Sequence, residues 1–218
     1  MSRLTSELHR LYHTDSPDHP RALRLEVAAP ADWTALGAVW RGVQADLGLP
    51  APAIAVSGTD GLQLWFSFAQ PVAPAQARQF LAGLRARYLP ELPASRLRLQ
   101  AESLVPAVPA QDAASGNWSA FVAPDLAPVF VETPWLDIEP GAEGQADLLA
   151  RLSPITPEAF DAAMLALRPA PQASTPLKLP PTAAEGHVDP RQFLQQVLDD
   201  EAAPLALRVE AAKALLRA

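Results

Sequence analysis

The residues of this chain that could do chemistry fall into three groups. His9 and His13 lie four apart, with Asp15, Asp18 and His19 just beyond them. On a helix, an i, i+4 histidine pair faces one way and can ligate zinc, but no third ligand motif accompanies it, so the spacing points to no metal site. Gly58-Thr59-Asp60-Gly61 has the glycines of a phosphate loop. Such a loop draws its anion affinity from the helix N-terminus it runs into, whereas this one runs into the alternating stretch LQLWFSF, which makes it a hairpin turn. The third group is Arg24, Glu26, Gln63, Trp65, Ser67, Arg96 and Arg98, which recur at every second position in alternating segments. Carboxylates hold hard cations, and an aromatic with arginines nearby can stack a base and neutralise phosphates. The chain has no cysteine, which excludes disulfides, thiolate metal sites and a cysteine nucleophile. No G-x-S-x-G elbow occurs, and His187 lies among prolines, where it is solvated.

The positions of the third group follow from the elements that carry them. ALRLEVA, residues 22–28, alternates as a half-buried strand. Trp33, Leu36, Trp40, Val43 and Leu47 are spaced as one helix face over 33–47, with Asp32 as N-cap. Residues 53–57 and 62–68 form a hairpin about the glycine turn. Pro74 opens a helix that runs to about Tyr88, and residues 96–100 alternate again. The fold class is therefore α+β, with an RRM-like (ferredoxin-like) β-α-β-β-α-β core over 22–101. Period 2 sends the leucines, valine and phenylalanines toward the helices, and Arg24, Glu26, Gln63, Trp65, Ser67, Arg96 and Arg98 to the opposite face. That face is open unless another part of the chain covers it.

Residues 1–21 read as an N-terminal helical segment. Residues 102–168 read as a mixed extension on the core, with short strands at 118–123 and 128–132 and helices at 144–152 and 157–167. Residues 169–189 form a proline-rich linker, and 190–218 a helical hairpin broken near Pro204. Seventeen of the 24 prolines follow residue 89, so the second half is irregular. Charge is uneven as well. Residues 1–100 carry 10 basic against 8 acidic residues, a balance of +2; residues 101–218 carry 7 against 16, a balance of -9. A chain of net charge -7 is a poor nonspecific DNA binder as a whole, although a local basic face remains open to it. Arg78, Arg85, Arg87, Arg96 and Arg98 make 78–98 the most basic stretch. The acidic run 136–143 and Asp199-Asp200-Glu201 read as solvated charge or as competitors for a basic surface. No apolar run reaches the roughly 20 residues that span a bilayer. The expectation is a soluble chain of a reducing cytoplasm, with no membrane contact and no cofactor.

The motif S-G-x-x-G-L-Q-L-W-F, following a strand and a helix that ends in Leu47-Gly48-Leu49, resembles the archaeo-eukaryotic primase superfamily. It is most similar to the primase-polymerase domain of bacterial end-joining ligases. The resemblance spans about residues 22–100. It implies an active site on the open face of an RRM-like sheet, in a protein of DNA replication or mobile-element biology. The family's metal-binding D-x-D falls on Arg24 and Glu26. Its small-x-His falls on Gly61-Leu62-Gln63, and Asp137 is a candidate for its further strand aspartate. An arginine stands where a metal-binding carboxylate is implied, and a glutamine where a phosphate-contacting histidine is implied.

Three functions follow as expectations. The first is a non-catalytic primase-polymerase-like domain that binds single-stranded nucleic acid through Trp65, Arg24, Ser67, Arg96 and Arg98, aided by Arg78 and Arg85. The second is an interaction protein whose sheet face is closed by its own C-terminal half, with a protein partner docked on the terminal hairpin. The third is a divergent metal-dependent nucleotidyltransferase that uses Glu26 and Asp137.

Overall fold

The computed structural model describes residues 2–16, 18–102 and 108–168, together with Gln195 and residues 212–215. The chain divides into two units, Met1–Pro169 and Ala170–Ala218. In the second unit, Gln195 and residues 212–215 are helical. The linker, the rest of the terminal hairpin and the acidic run 199–201 lie outside the described residues.

The alternating segments build one antiparallel sheet. Its strands are β1 (Ala22–Ala28), β2 (Ala53–Val56), β3 (Gly61–Ser67), β4 (Leu97–Glu102) and β5 (Ala120–Val122), in the order β4-β1-β3-β2-β5. The first unit's helices are α1 (Arg3–Tyr12), α2 (Trp33–Ala45), α3 (Pro74–Tyr88), α4 (Ala142–Ala150) and α5 (Pro157–Ala166). Asp32 caps α2 as its sequence position predicts, its side chain accepting from the Ala35 amide at 3.0 Å. Residues 128–132 do not form a strand. Ala127–Phe130 is a 3-10 turn, because Pro128 favours the first turn of a helix and removes a ladder donor.

Register fixes the two faces. Leu25 of β1 stands opposite Leu64 of β3 and Leu99 of β4, and Glu26 stands opposite Gln63 and Arg98. On the first face, Leu23, Leu25, Val27, Leu62, Leu64 and Phe66 are buried with Leu36, Val39 and Val43 of α2 and Phe80, Leu81 and Leu84 of α3. α5 joins this layer through Phe160, whose ring lies 5.1 Å from Phe68 and 5.5 Å from Phe80 in edge-to-face contacts.

The second face is covered too. Leu11 and Tyr12 of α1, Leu149 of α4, Phe121 of β5 and Val108 are buried with Ala22, Ala53, Ala55 and Trp65. Small residues on the strands leave room for those large covering side chains. Arginines fasten the cover. Arg10 donates to the carbonyls of Leu149 and Leu152 at the end of α4, at 3.0 and 3.1 Å. Arg21 donates to the carbonyls of His13 and Arg10 at the end of α1, and to that of Phe68, at 2.8, 3.2 and 2.8 Å. Both satisfy carbonyls that a helix terminus or a strand end leaves without partners.

Candidate functional site

The three positions that the primase resemblance picks out on β1 and β3 do meet. Glu26 and Gln63 face each other across the β1–β3 ladder, and Arg24 faces Trp65 one row further along. Their contacts form a continuous chain. Trp65 Nε1 donates to Gln63 Oε1 at 2.9 Å, and Gln63 Nε2 donates to Glu26 Oε2 at 3.1 Å. An indole only donates and a carboxylate only accepts, so this sequence of partners also fixes which way round the Gln63 amide sits. Arg98 of β4 closes the row, donating to Glu26 Oε1 at 2.5 Å and to both carboxylate oxygens of Asp60 at 2.9 and 3.0 Å. The Arg24 guanidinium stands 3.9 Å from Glu26 Oε2 and 5.3 Å from the Trp65 ring centroid. A side chain at position 61 would crowd β1, because a Cβ there would stand 2.8 Å from Glu26 Oε1 and 2.9 Å from Ala28 Cβ.

The electrostatics follow from the fork geometry. The two hydrogen bonds from Arg98 hold the Asp60 carboxyl below its ordinary range, and the bonds to Asp60 and Glu26 raise the Arg98 guanidinium further. Glu26 is only 2% exposed, and Gln63 and Arg98 supply the hydrogen bonds that burial takes from water. The residues do not fit the divalent metals that the family resemblance implies. A guanidinium occupies each side of the single buried carboxylate, where two-metal chemistry needs oxygen ligands. Among the described residues, no three His, Cys, Asp or Glu side chains lie close enough together to hold a metal ion. Asp137 is exposed beside Leu136, which bridges Trp118, and no hydrogen bond or ion pair joins it to Glu26 among the described residues.

The open stacking platform is corrected by the structure. Trp65 is 3% exposed, with the Tyr12 ring edge-on at 6.0 Å, so no base can reach its face in this arrangement. Ser67 is buried beside it in the same strand. Arg96 does not join the row. It sits in a 3-10 turn before β4, where alternation does not operate, and donates to the Pro30 carbonyl at 2.7 Å, with Asp32 3.8 Å away. Arg78 and Arg85 project from α3, the helix that packs on the first face, and so lie across the sheet from Trp65. The seven proposed nucleic-acid residues thus do not form one surface.

The turn at 58–61 is no phosphate cradle. The amides of Thr59 and Gly61 already donate to Ser57 Oγ at 3.1 and 2.9 Å. The rings of His9 and His13 stack at 4.0 Å, and His13 contacts Asp15 at 3.0 Å. Three residues that complete the second face escape sequence reasoning: Tyr12, Phe121 and Gln145. Gln145 of α4 accepts from the Phe121 amide at 2.7 Å and donates to the Phe121 carbonyl at 3.0 Å, standing in for a further strand at the sheet edge. Its signal would have been a glutamine on an apolar helix face. No protein-family model matches the chain, and no curated protein matches it.

Proposed function

We propose that this chain is a non-catalytic accessory protein on a primase-polymerase-like domain, working through protein contacts, with its former nucleotide face closed by its own chain. The strand order β4-β1-β3-β2, with α2 and α3 on one face, supports the RRM-like reading of the core. The setting, DNA replication or mobile-element biology, comes from the resemblance over residues 22–100. The observation that carries the reading is the state of Glu26. It is the one carboxylate at the D-x-D positions, and it is buried and bonded to Gln63 and Arg98. The closing segments come from both ends of the first unit, α1 and α4, rather than from the C-terminal half alone.

Two measurements test this. Fluorescence anisotropy with a labelled single-stranded oligonucleotide, at low salt where attraction is least screened, is expected to show no binding through the sheet face. Salt-sensitive binding that is lost on substitution of Trp65 or Arg98 would overturn the reading. Manganese-dependent nucleotide incorporation is expected to be absent. Incorporation that disappears in Glu26→Gln would instead establish the nucleotidyltransferase.

A further inference from the structure

The two edges of the sheet are finished differently. The Phe68 amide donates to the Arg21 carbonyl at 3.0 Å and the Ala29 amide to the Asp60 carbonyl at 3.2 Å. The odd-numbered residues of β1 therefore bond to β3 and the even-numbered ones to β4. Arg98, Gln100 and Glu102 stand opposite Glu26, Arg24 and Ala22, so these are the β4 residues bonded inward. Leu97, Leu99 and Ala101 direct their backbone groups away from the sheet. The Leu97 amide is taken by the Ala94 carbonyl of the preceding 3-10 turn. The Leu97 carbonyl, and the amides and carbonyls of Leu99 and Ala101, have no partner among the described residues. At the opposite edge the same parity turns Phe121 of β5 outward, and there Gln145 takes both of its groups. One edge is plugged by a side chain, and the other presents a row of donors and acceptors on which a further strand can form. Beside that row lies one flank of α3. Arg78, Ala82 and Arg85 are spaced i, i+4 and i+7 on it, and the helix has no acidic residue. Ala82, Arg85 and Ala86 share a hollow of about 310 Å³ with Pro90 and Leu99, which sets this flank against the first-face side of β4. Neither Arg78 nor Arg85 makes an ion pair among the described residues, whereas Arg98, on the other side of the strand, is held by Glu26 and Asp60.

We propose that the β4 edge is the docking site for an extended acidic peptide of a partner protein, which joins the sheet as a further antiparallel strand. Opposite Leu99 the peptide presents an apolar side chain to the hollow. At the next positions on the same face, to either side, it presents carboxylates to Arg78 and Arg85. Main-chain bonds to Leu99 and Ala101 supply the binding, and the hollow and the arginines supply the selectivity. Two other occupants fit this edge less well. A second copy paired β4 to β4 about an axis through Leu99 would bring Arg85, which lines the same hollow as Leu99, close to the Arg85 of its mate. A nucleic-acid strand would meet the arginines but would set its phosphates against the outward carbonyls. The site stands on the edge itself and does not depend on the function proposed above.

The test is hydrogen exchange of the full chain, read at single amides in two stages. In the free protein the Leu99 and Ala101 amides are expected to exchange fast, and the Arg98, Gln100 and Phe121 amides slowly. Protection of Leu99 and Ala101 in the free chain would overturn the proposal, because the edge is then already covered. The probe for the second stage is a capped peptide, Thr-Glu-Thr-Val-Thr-Glu-Thr, whose glutamates and valine fall on one face of a strand. At about 1 mM it should slow exchange at Leu99 and Ala101 about tenfold, as a dissociation constant of about 0.1 mM requires. Arg85→Glu should weaken binding about tenfold, since it sets like charges together. The β1 and β3 amides should keep their protection in that variant, which shows that it is folded. N-methylation of the valine and glutamates removes the donors that face the edge and should abolish protection with the charge unchanged. No protection by the peptide would overturn the proposal. So would protection that survives N-methylation, or equal protection by a single-stranded oligonucleotide, since the edge would then read charge alone.

Discussion

On the first sheet face, Leu23, Leu25, Val27, Leu62, Leu64 and Phe66 meet two helices through apolar contact. On the second, Trp65 and Tyr12 share the interior with the buried polar side chains Glu26, Gln63 and Gln145. Both faces are covered, but they differ in what a lost side chain leaves behind. An apolar deletion leaves a cavity whose lining loses contacts. A deletion in the polar row also leaves a donor, acceptor or charge without its partner, and a buried group pays the full desolvation cost. The second face is the one on which the primase resemblance sets its active site, and there Glu26, Gln63, Trp65 and Gln145 spend their hydrogen bonds on other groups of the same chain.

The largest expected effect tests that difference directly. Trp65→Ala removes a buried indole and orphans Gln63 Oε1, and should cost about 5 kcal/mol in denaturant unfolding. Phe66→Ala, the adjacent residue on the apolar face, should cost about 3–5 kcal/mol from cavity formation alone. Trp65→Phe separates the two contributions, keeping most of the burial while removing the indole N–H. If Trp65→Phe is neutral, the polar row adds nothing to the second face and the contrast collapses.

Arg98→Ala comes next. It takes the bidentate partner from Asp60 and the cationic partner from Glu26, and should cost about 1–2 kcal/mol, held down because Arg98 is 47% exposed and water screens the charge left behind. The pH dependence has a definite sign. Hydrogen bonds from Arg98 hold the folded-state pKa of Asp60 below its unfolded value, so the pair contributes stability above roughly pH 4 and loses it as pH falls through the folded value. Wild type should therefore lose stability more steeply on acidification than Arg98→Ala does. Parallel acid limbs in the two proteins would remove the Arg98–Asp60 pair from the account.

How much of this was legible in sequence depends on the distance over which each pattern acts. The alternation of Leu62, Leu64 and Phe66 against Gln63 and Trp65 is local and survives in the structure, as do the Asp32 cap and the helix from Pro74. α1 shows its apolar stripe openly, with Leu4, Leu8, Leu11 and Tyr12 at helical spacing, yet nothing local says that the stripe lands on Trp65. Whether the second face is open is thus decided by contacts between residues more than 50 positions apart. The polar row was half legible. Its members could be assigned to one face by parity, but the partnership of Arg98 with Asp60 joins a strand to a turn 38 residues away. Arg96 was misplaced because a 3-10 turn interrupts the period just where alternation would have carried it onto that face.

Gln145→Ala probes the edge of the second face. Loss of the two bonds to the Phe121 main chain should cost about 1–3 kcal/mol. The Phe121 amide should also exchange with solvent much faster, while amides of β1 and β3 stay protected. Uniform loss of protection across the sheet would mean that α4 supports the whole fold rather than closing one edge.

The smallest effect has the opposite sign. Tyr12 Oη is fully buried and has no hydrogen-bond partner among the described residues, and burial raises its pKa, so the hydroxyl stays neutral. A buried donor without an acceptor carries a desolvation cost that nothing repays. Tyr12→Phe removes the hydroxyl and keeps the ring against Trp65 and Phe121, so it should be neutral or stabilising by up to about 1 kcal/mol. Destabilisation of more than about 1 kcal/mol would mean that Oη has a partner in solution, such as a buried water bridging it to the polar row. Tyr12 would then belong to that row, and α1 would be tied to the second face by a polar contact as well as by packing.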